Sequence, residues 1–275
     1  MDTGKGISLK DHLSRLSPKE KAFQTLEQEK ILENVIGFIP SGDSTDVSLL
    51  VAGLGVLLAS QGYNTCILDA KMFYPSIYKL LDCEANMRGK GLLKSLRSDR
   101  IDFRDELVRT RVKNLYLMTP SPLDAMEDYF DIKEEEVDRV ILNLKDMFDL
   151  VLIDIPNIPP SEFCYGAIKN SNLGFVVWSE RIDCPQNTSR LFQFMSSIGI
   201  GIAKFANVIL SNGMGFNYDK EIIGEMSLRL TAEFPFVNGA VDCSLDGRIY
   251  LTESALIDKR YKKSLERLAE SIIRN

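Results

Sequence analysis

The chain has 275 residues, 45% of them hydrophobic and 26% charged, with a formal net charge of −6. That is enough apolar material for a sizeable core, and the acidic balance excludes a global basic footprint for nucleic acid, leaving only a local patch open. The five cysteines are scattered without a C-x-x-C pair and the one histidine is His12, which argues against a paired-ligand zinc site and a disulfide framework and points to free thiols in a reducing compartment.

The first 33 residues are polar and charge-rich. Ser17-Pro18-Lys19-Glu20 reads as an N-cap, a proline at the first helical position and an acidic first turn, and Ala22, Phe23, Leu26 and Ile31 follow at roughly helical spacing. Residues 1–33 are thus predicted to be a helical N-terminal extension and residues 34–275 the main domain. The opening run lacks the apolar core of a signal peptide, and no stretch approaches the ~18 consecutive apolar residues of a spanning helix. The expectation is a cytoplasmic protein.

From Asn34, short apolar runs alternate with amphipathic stretches. Val35–Ile39 is the first strand-like run, and a polar loop over Pro40–Asp46 leads into an apolar helix over Val47–Ala59. Strands follow over Thr65–Asp69, Asn114–Met118 and, after a charged helix over Lys133–Met147, Leu150–Asp154. Gly174–Trp178, Asn207–Ser211 and a short Phe234–Val237 read as the remaining strands, with a helix over Asp258–Ile273 last. Strands apolar on both faces and separated by helices predict a parallel sheet covered on both sides. The fold class expected is α/β: a doubly wound, mostly parallel sheet with helices on both faces.

Two segments carry their own expectations. Glu84–Arg111 reads as a charged helical excursion bearing Arg88, Lys90, Lys94, Arg97, Arg100, Arg104, Arg109 and Arg111; it suits a solvated surface or a binding patch. The last helix places Leu265, Leu268, Ile272 and Ile273 on one side with basic residues opposite, a pattern read as core packing rather than membrane contact.

Ligands of doubly wound folds sit beyond the carboxyl ends of the strands. The loop there is Pro40-Ser41-Gly42-Asp43-Ser44-Thr45-Asp46-Val47-Ser48. Its position before a helix N-terminus suits a phosphate, because free N–H groups and the positive dipole end point outward. Yet it has one glycine, no lysine and two aspartates, where a working loop needs glycines to wrap phosphates and a lysine to reach them. Ser44, Thr45 or Asp46 could instead cap the helix.

The run Val35–Leu81 resembles the opening of MinD/ParA-type ATPases, which carry a deviant K-G-G-x-G-K-T loop, a helix ending L-A-x-x-G and a strand ending D-x-D. Here the helix ends Leu57-Leu58-Ala59-Ser60-Gln61-Gly62, and the strand ends Asp69-Ala70-Lys71. Phe148-Asp149-Leu150-Val151-Leu152-Ile153-Asp154-Ile155-Pro156 is similar to the family's second acidic motif, Y-D-x-x-I-I-D-x-P-P. In register with the helix end, the resemblance puts the nucleotide-contacting lysine on Val47, the dimer-bridging lysine on Gly42, and loop glycines on Asp43, Ser44 and Asp46. The metal-binding Ser/Thr falls on Ser48, the two acidic positions on Asp69 and Asp154, and the water-activating aspartate on Lys71. Asn212 falls where the family often contacts the base, although Ser211-Asn212-Gly213 also reads as a tight turn.

The resemblance implies a site half retained. Gly42, Ser44, Thr45, Ser48, Lys71 and Asn212 are the candidate nucleotide contacts, with Lys71 a candidate replacement lysine. Ser48, Asp69 and Asp154 are the candidate metal ligands, if a magnesium nucleotide binds. Asp69 and Asp154 also suit turn capping and pairing with Lys71. With two lysines lost, the first expectation is a degenerate member acting as a non-hydrolysing regulatory, positioning or assembly scaffold with no cofactor, similar to the TadZ/CpaE-like pilus-assembly branch. The alternative is a weak ATP/ADP-magnesium switch. Expected partners are proteins of a positioning or assembly machinery, with a homodimer possible in such a family and recruitment to a membrane-associated complex; nucleic acid is not the expected partner but is left open by the chance of a local basic patch. A third reading, a relative of bacterial tyrosine kinases, lacks a tyrosine cluster in the last helix, which holds Tyr261 alone. No G-x-S-x-G elbow is present, and Gly53-Leu54-Gly55 lies within a helical run, which suits close helix–sheet packing rather than a dinucleotide turn.

Overall fold

The computed structural model describes residues 34–42, 47–98, 103–157, 161–212, 220–246, 248–253 and 256–274. The predicted N-terminal extension, residues 1–33, lies outside them.

Eight strands form one sheet in the order β3-β4-β2-β5-β1-β6-β7-β8. They are β1 (Val35–Pro40), β2 (Thr65–Asp69), β3 (Val108–Arg109), β4 (Leu115–Met118), β5 (Leu150–Asp154), β6 (Leu173–Trp178), β7 (Asn207–Ser211) and β8 (Arg229–Phe234). Every neighbouring pair is parallel except β3 with β4. The sheet is the doubly wound, mostly parallel one expected.

Strand periodicity builds the two core layers, since successive side chains leave a strand on opposite faces. From β1, Ile36 and Phe38 enter one cluster with Leu152, Phe175 and Val177, while Val35 and Ile39 enter the other with Val151, Ile153 and Val176. The first layer is covered by α1 (Ser48–Ser60) and the last helix (Lys259–Ile273). The second is covered by the helices Glu134–Met147 and Ser161–Asn170. A central strand apolar on both sides has no other stable environment. Gly55 lets α1 lie on the sheet: a Cβ there would meet Ile67 Cδ1 at 2.6 Å.

In the last helix Leu265, Leu268 and Ile272 pack into the core, and Asp258 caps its start by accepting from the N–H groups of Arg260 and Tyr261. Ile273 departs from the expectation, being 43% exposed.

Two expectations need correction. The last strand is Arg229–Phe234, not Phe234–Val237. Pairing with β7 supplies the ladder for a strand that mixes polar and apolar residues, and Pro235, which has no N–H, ends it. The segment Glu84–Arg111 is not one helical excursion. It holds a 3₁₀ turn at Glu84–Asn86, a short helix at Leu92–Arg97 and the two-residue β3. Gly89 and Gly91, at φ 67° and 126°, break any continuous helix. Three of its basic side chains make local contacts: Arg111 pairs with Asp82, Lys94 with Glu106, and Lys90 donates to the Leu107 carbonyl.

Candidate functional site

Adjacent strands β2 and β5 end in Asp69 and Asp154, which are register partners. Both carboxylates are fully buried. Helix α1 starts beside them, so the motif order in sequence becomes a cluster at the carboxyl edge of the sheet. Ser48 Oγ donates to Asp154 Oδ2 at 2.6 Å. Lys71 Nζ donates to Ser48 Oγ at 2.9 Å and lies 2.9 Å from Asp154 Oδ1. A hydroxyl, a carboxylate and an ammonium thus close a triangle.

Asp69 has a different task. Its Oδ1 accepts from the Lys71 N–H at 3.2 Å, and its Oδ2 from the N–H groups of Ser76 and Ile77 at 3.1 and 3.3 Å. It ties down the turn from which Lys71 projects, the capping role anticipated for it. Burial pushes its carboxyl up to about 7; the charge of Asp154 adds to the rise and Lys71 opposes it.

Gly42 follows β1 beside Arg181, whose Nε would lie 3.7 Å from a Cβ at that glycine. The loop is anchored just before it: Ser41 N and Oγ both donate to the Val177 carbonyl, and Asn187 Nδ2 donates to the Ser41 carbonyl at 2.8 Å. Arg181, ion-paired with Asp183 at 2.9 Å, was not singled out from sequence. Its place just past β6, on the ligand edge of the sheet, was the available signal. Ser44 and Thr45 lie outside the described residues, as do Asp43 and Asp46. Val47 is fully buried in the core layer beneath α1, so this position faces packing rather than a phosphate.

Asn212 is not brought into the cluster. Its N–H donates to the Phe234 carbonyl and its Nδ2 to Glu233 Oε1 at 3.0 Å, both on β8. Its strand, β7, is three positions from β5 in the sheet, roughly 14 Å by ordinary strand spacing.

The fold was then compared with known proteins. No protein-family model matches this chain. The MinD protein of Pyrococcus horikoshii, solved with Mg-ADP, superposes with a TM-score of 0.72 at 19% identity, covering 87% of this chain and 96% of that one. MinD in the MinC:MinD cell division complex of Aquifex aeolicus gives 0.73 at 17% identity, covering 88% and 96%. The chain has the MinD/ParA ATPase fold. Over 113 residues it is also 30% identical to the putative tyrosine-protein kinase CapB of Staphylococcus aureus. That match covers 40% of this chain and less than half, 46%, of the relative.

The expectation of a fold without a cofactor does not stand, because the Pyrococcus protein of the same fold holds magnesium and ADP. A hydroxyl and a carboxylate, as on Ser48 and Asp154, are suitable hard donors for magnesium. In this chain, however, the Lys71 ammonium is within hydrogen-bond distance of both. The residues do not fit a divalent ion while that ammonium stays in place. Among the described residues, no helix is long and apolar enough to cross a membrane.

Proposed function

We propose that this chain is a nucleotide-responsive positioning or assembly protein that binds a nucleoside di- or triphosphate at the start of α1 and turns it over slowly or not at all. The observation that carries the reading is the placement of Lys71. The residue at the position where the resemblance expects a water-activating aspartate is an ammonium bound to Ser48 and Asp154. An ammonium engaged in this way cannot accept a proton from water or orient it as a carboxylate does. Support for a nucleotide comes from the Mg-ADP held by the Pyrococcus neighbour and from the start of α1 at the ligand edge of the sheet, where the positive end of the helix dipole favours an anion. Support for protein partners comes from the Aquifex neighbour, solved in complex with MinC. A homodimer and recruitment to a membrane-associated complex belong to the same reading.

The experiment pairs calorimetric titration of ATP and ADP with a phosphate-release assay on the pure protein. Saturable binding with phosphate release at background is expected. Release at the rate of an efficient ATPase, or no binding of either nucleotide, overturns the proposal.

The CapB match favours a second reading, a relative of tyrosine kinases. Against it, Tyr261 of the last helix is only 3% exposed, its hydroxyl facing the Leu49 carbonyl. Incorporation of labelled phosphate into tyrosine by the pure protein would favour this reading.

A further inference from the structure

We propose that the Lys71 ammonium is the built-in counter-cation of this site, standing where a divalent metal would stand, so that a nucleoside di- or triphosphate is bound here without magnesium. The inference rests on the nucleotide-binding reading and concerns how the charge of that nucleotide is met.

Three observations carry it. First, the oxygens suited to a hard divalent ion are already engaged by one monovalent cation: Lys71 Nζ is 2.9 Å from Ser48 Oγ and 2.9 Å from Asp154 Oδ1. Magnesium sits ~2.0–2.1 Å from its oxygens, so an ion on Ser48 would lie against the ammonium. In a buried setting that repulsion is far stronger than in water.

Second, the lysine is held rather than loose. Asp69 accepts the N–H groups of Lys71, Ser76 and Ile77, which fixes the turn beneath it. The side chain needs little further ordering to meet a ligand.

Third, the ammonium has capacity left. It carries three donors; among the described residues Ser48 Oγ accepts one, while Asp154 Oδ1 lies 2.9 Å away as an ion pair. Asp154 is fully buried, whereas the Lys71 side chain is 20% exposed. The Lys71 side chain thus keeps some exposure at the ligand edge of the sheet, where a phosphate oxygen at the start of α1 would arrive. Arg181, beside Gly42, places a second cation, a guanidinium, along the same loop.

The test is equilibrium titration of the full chain with ADP and with ATP, in excess EDTA and again in excess magnesium. The wild-type dissociation constants in the two buffers are expected to agree within about threefold. Lys71→Ala is expected to weaken binding in EDTA by about tenfold or more, with magnesium restoring it, because removal of the ammonium frees Ser48 and Asp154. Lys71→Arg, which keeps the charge, is expected to retain binding in EDTA. Wild-type binding that appears only with magnesium overturns this inference and leaves the nucleotide-binding reading intact. Absence of binding in both buffers overturns that reading and the inference with it. If Lys71→Ala does not fold, the wild-type comparison still decides.

Discussion

Lys71 Nζ lies 2.9 Å from Asp154 Oδ1, joining the residue two past the end of β2 to the last residue of β5. Asp154 has no exposed surface, and this ammonium and the Ser48 hydroxyl are among the groups that meet its charge. Removing one member of a buried pair leaves the other charge uncompensated. Lys71→Met is therefore expected to cost about 3–5 kcal/mol of stability. Lys71→Met combined with Asp154→Asn should recover much of that loss. Urea denaturation of the two singles and the double gives the coupling directly; strict additivity would show that the pair does not interact.

Ser48→Ala removes a hydroxyl that donates to one side of the triangle and accepts on the other. A hydrogen bond to a charged partner contributes ~1.5–3 kcal/mol, and a drop of that size in the same denaturation experiment is expected. A change below a few tenths of a kcal/mol would mean that Asp154 finds another donor.

The raised carboxyl of Asp69 sets a pH dependence. Its proton is held up to about 7 in the folded chain but only to the ordinary carboxylate range when unfolded. Below that ordinary range both states are protonated and there is no penalty. As pH rises from there through about 7, the folded state binds more protons than the unfolded one, so the contribution of Asp69 to stability falls. The stability advantage of wild type over Asp69→Asn is thus expected to shrink as pH rises through this window and to level off above it. Denaturation midpoints of both proteins across pH provide the check; a difference that grows with pH would refute the assignment.

Turnover is expected to stay at background in the wild type. Loss of one group that stabilises transition-state charge costs ~2.7–4 kcal/mol, or roughly 100- to 1,000-fold in rate, and the resemblance finds more than one such group replaced. Returning a lysine at Val47 is not the informative change, because that side chain is fully buried among apolar neighbours and a lysine there would bury its charge. Lys71→Asp, assayed for phosphate release with magnesium and ATP, probes the altered position itself. Efficient release by the unmodified chain would contradict the prediction.

Gly174 tests the packing that positions β6 beside the loop strand. A Cβ there would meet three ring atoms of the buried Phe205 at 2.4 to 2.5 Å. Overpacking of this kind costs about 1–3 kcal/mol, so Gly174→Ala should lower stability by that amount, with Phe205→Leu giving partial relief in the double variant.

Most of the fold was legible in the amino-acid sequence because strands buried on both faces are apolar along nearly their whole length. Val35–Ile39, Thr65–Asp69 and Leu150–Asp154 announce themselves for that reason. So did the positions of Ser48, Asp69 and Asp154, since each falls where an element begins or ends. Arg229–Phe234 was not legible, because Arg229, Thr231 and Glu233 interrupt its apolar residues and it becomes a strand through the ladder that β7 offers. The broken segment after Glu84 was missed because its charges outweigh the buried apolar residues scattered through it, among them Met87, Leu92, Leu96, Phe103, Leu107 and Val108. Sequence could show that a lysine replaces an aspartate at 71, but not where its ammonium goes. That was decided by the parallel pairing of β2 with β5 and the start of α1 against their ends, which bring three groups distant in the chain within hydrogen-bonding reach in a site too dry to leave a carboxylate unpaired.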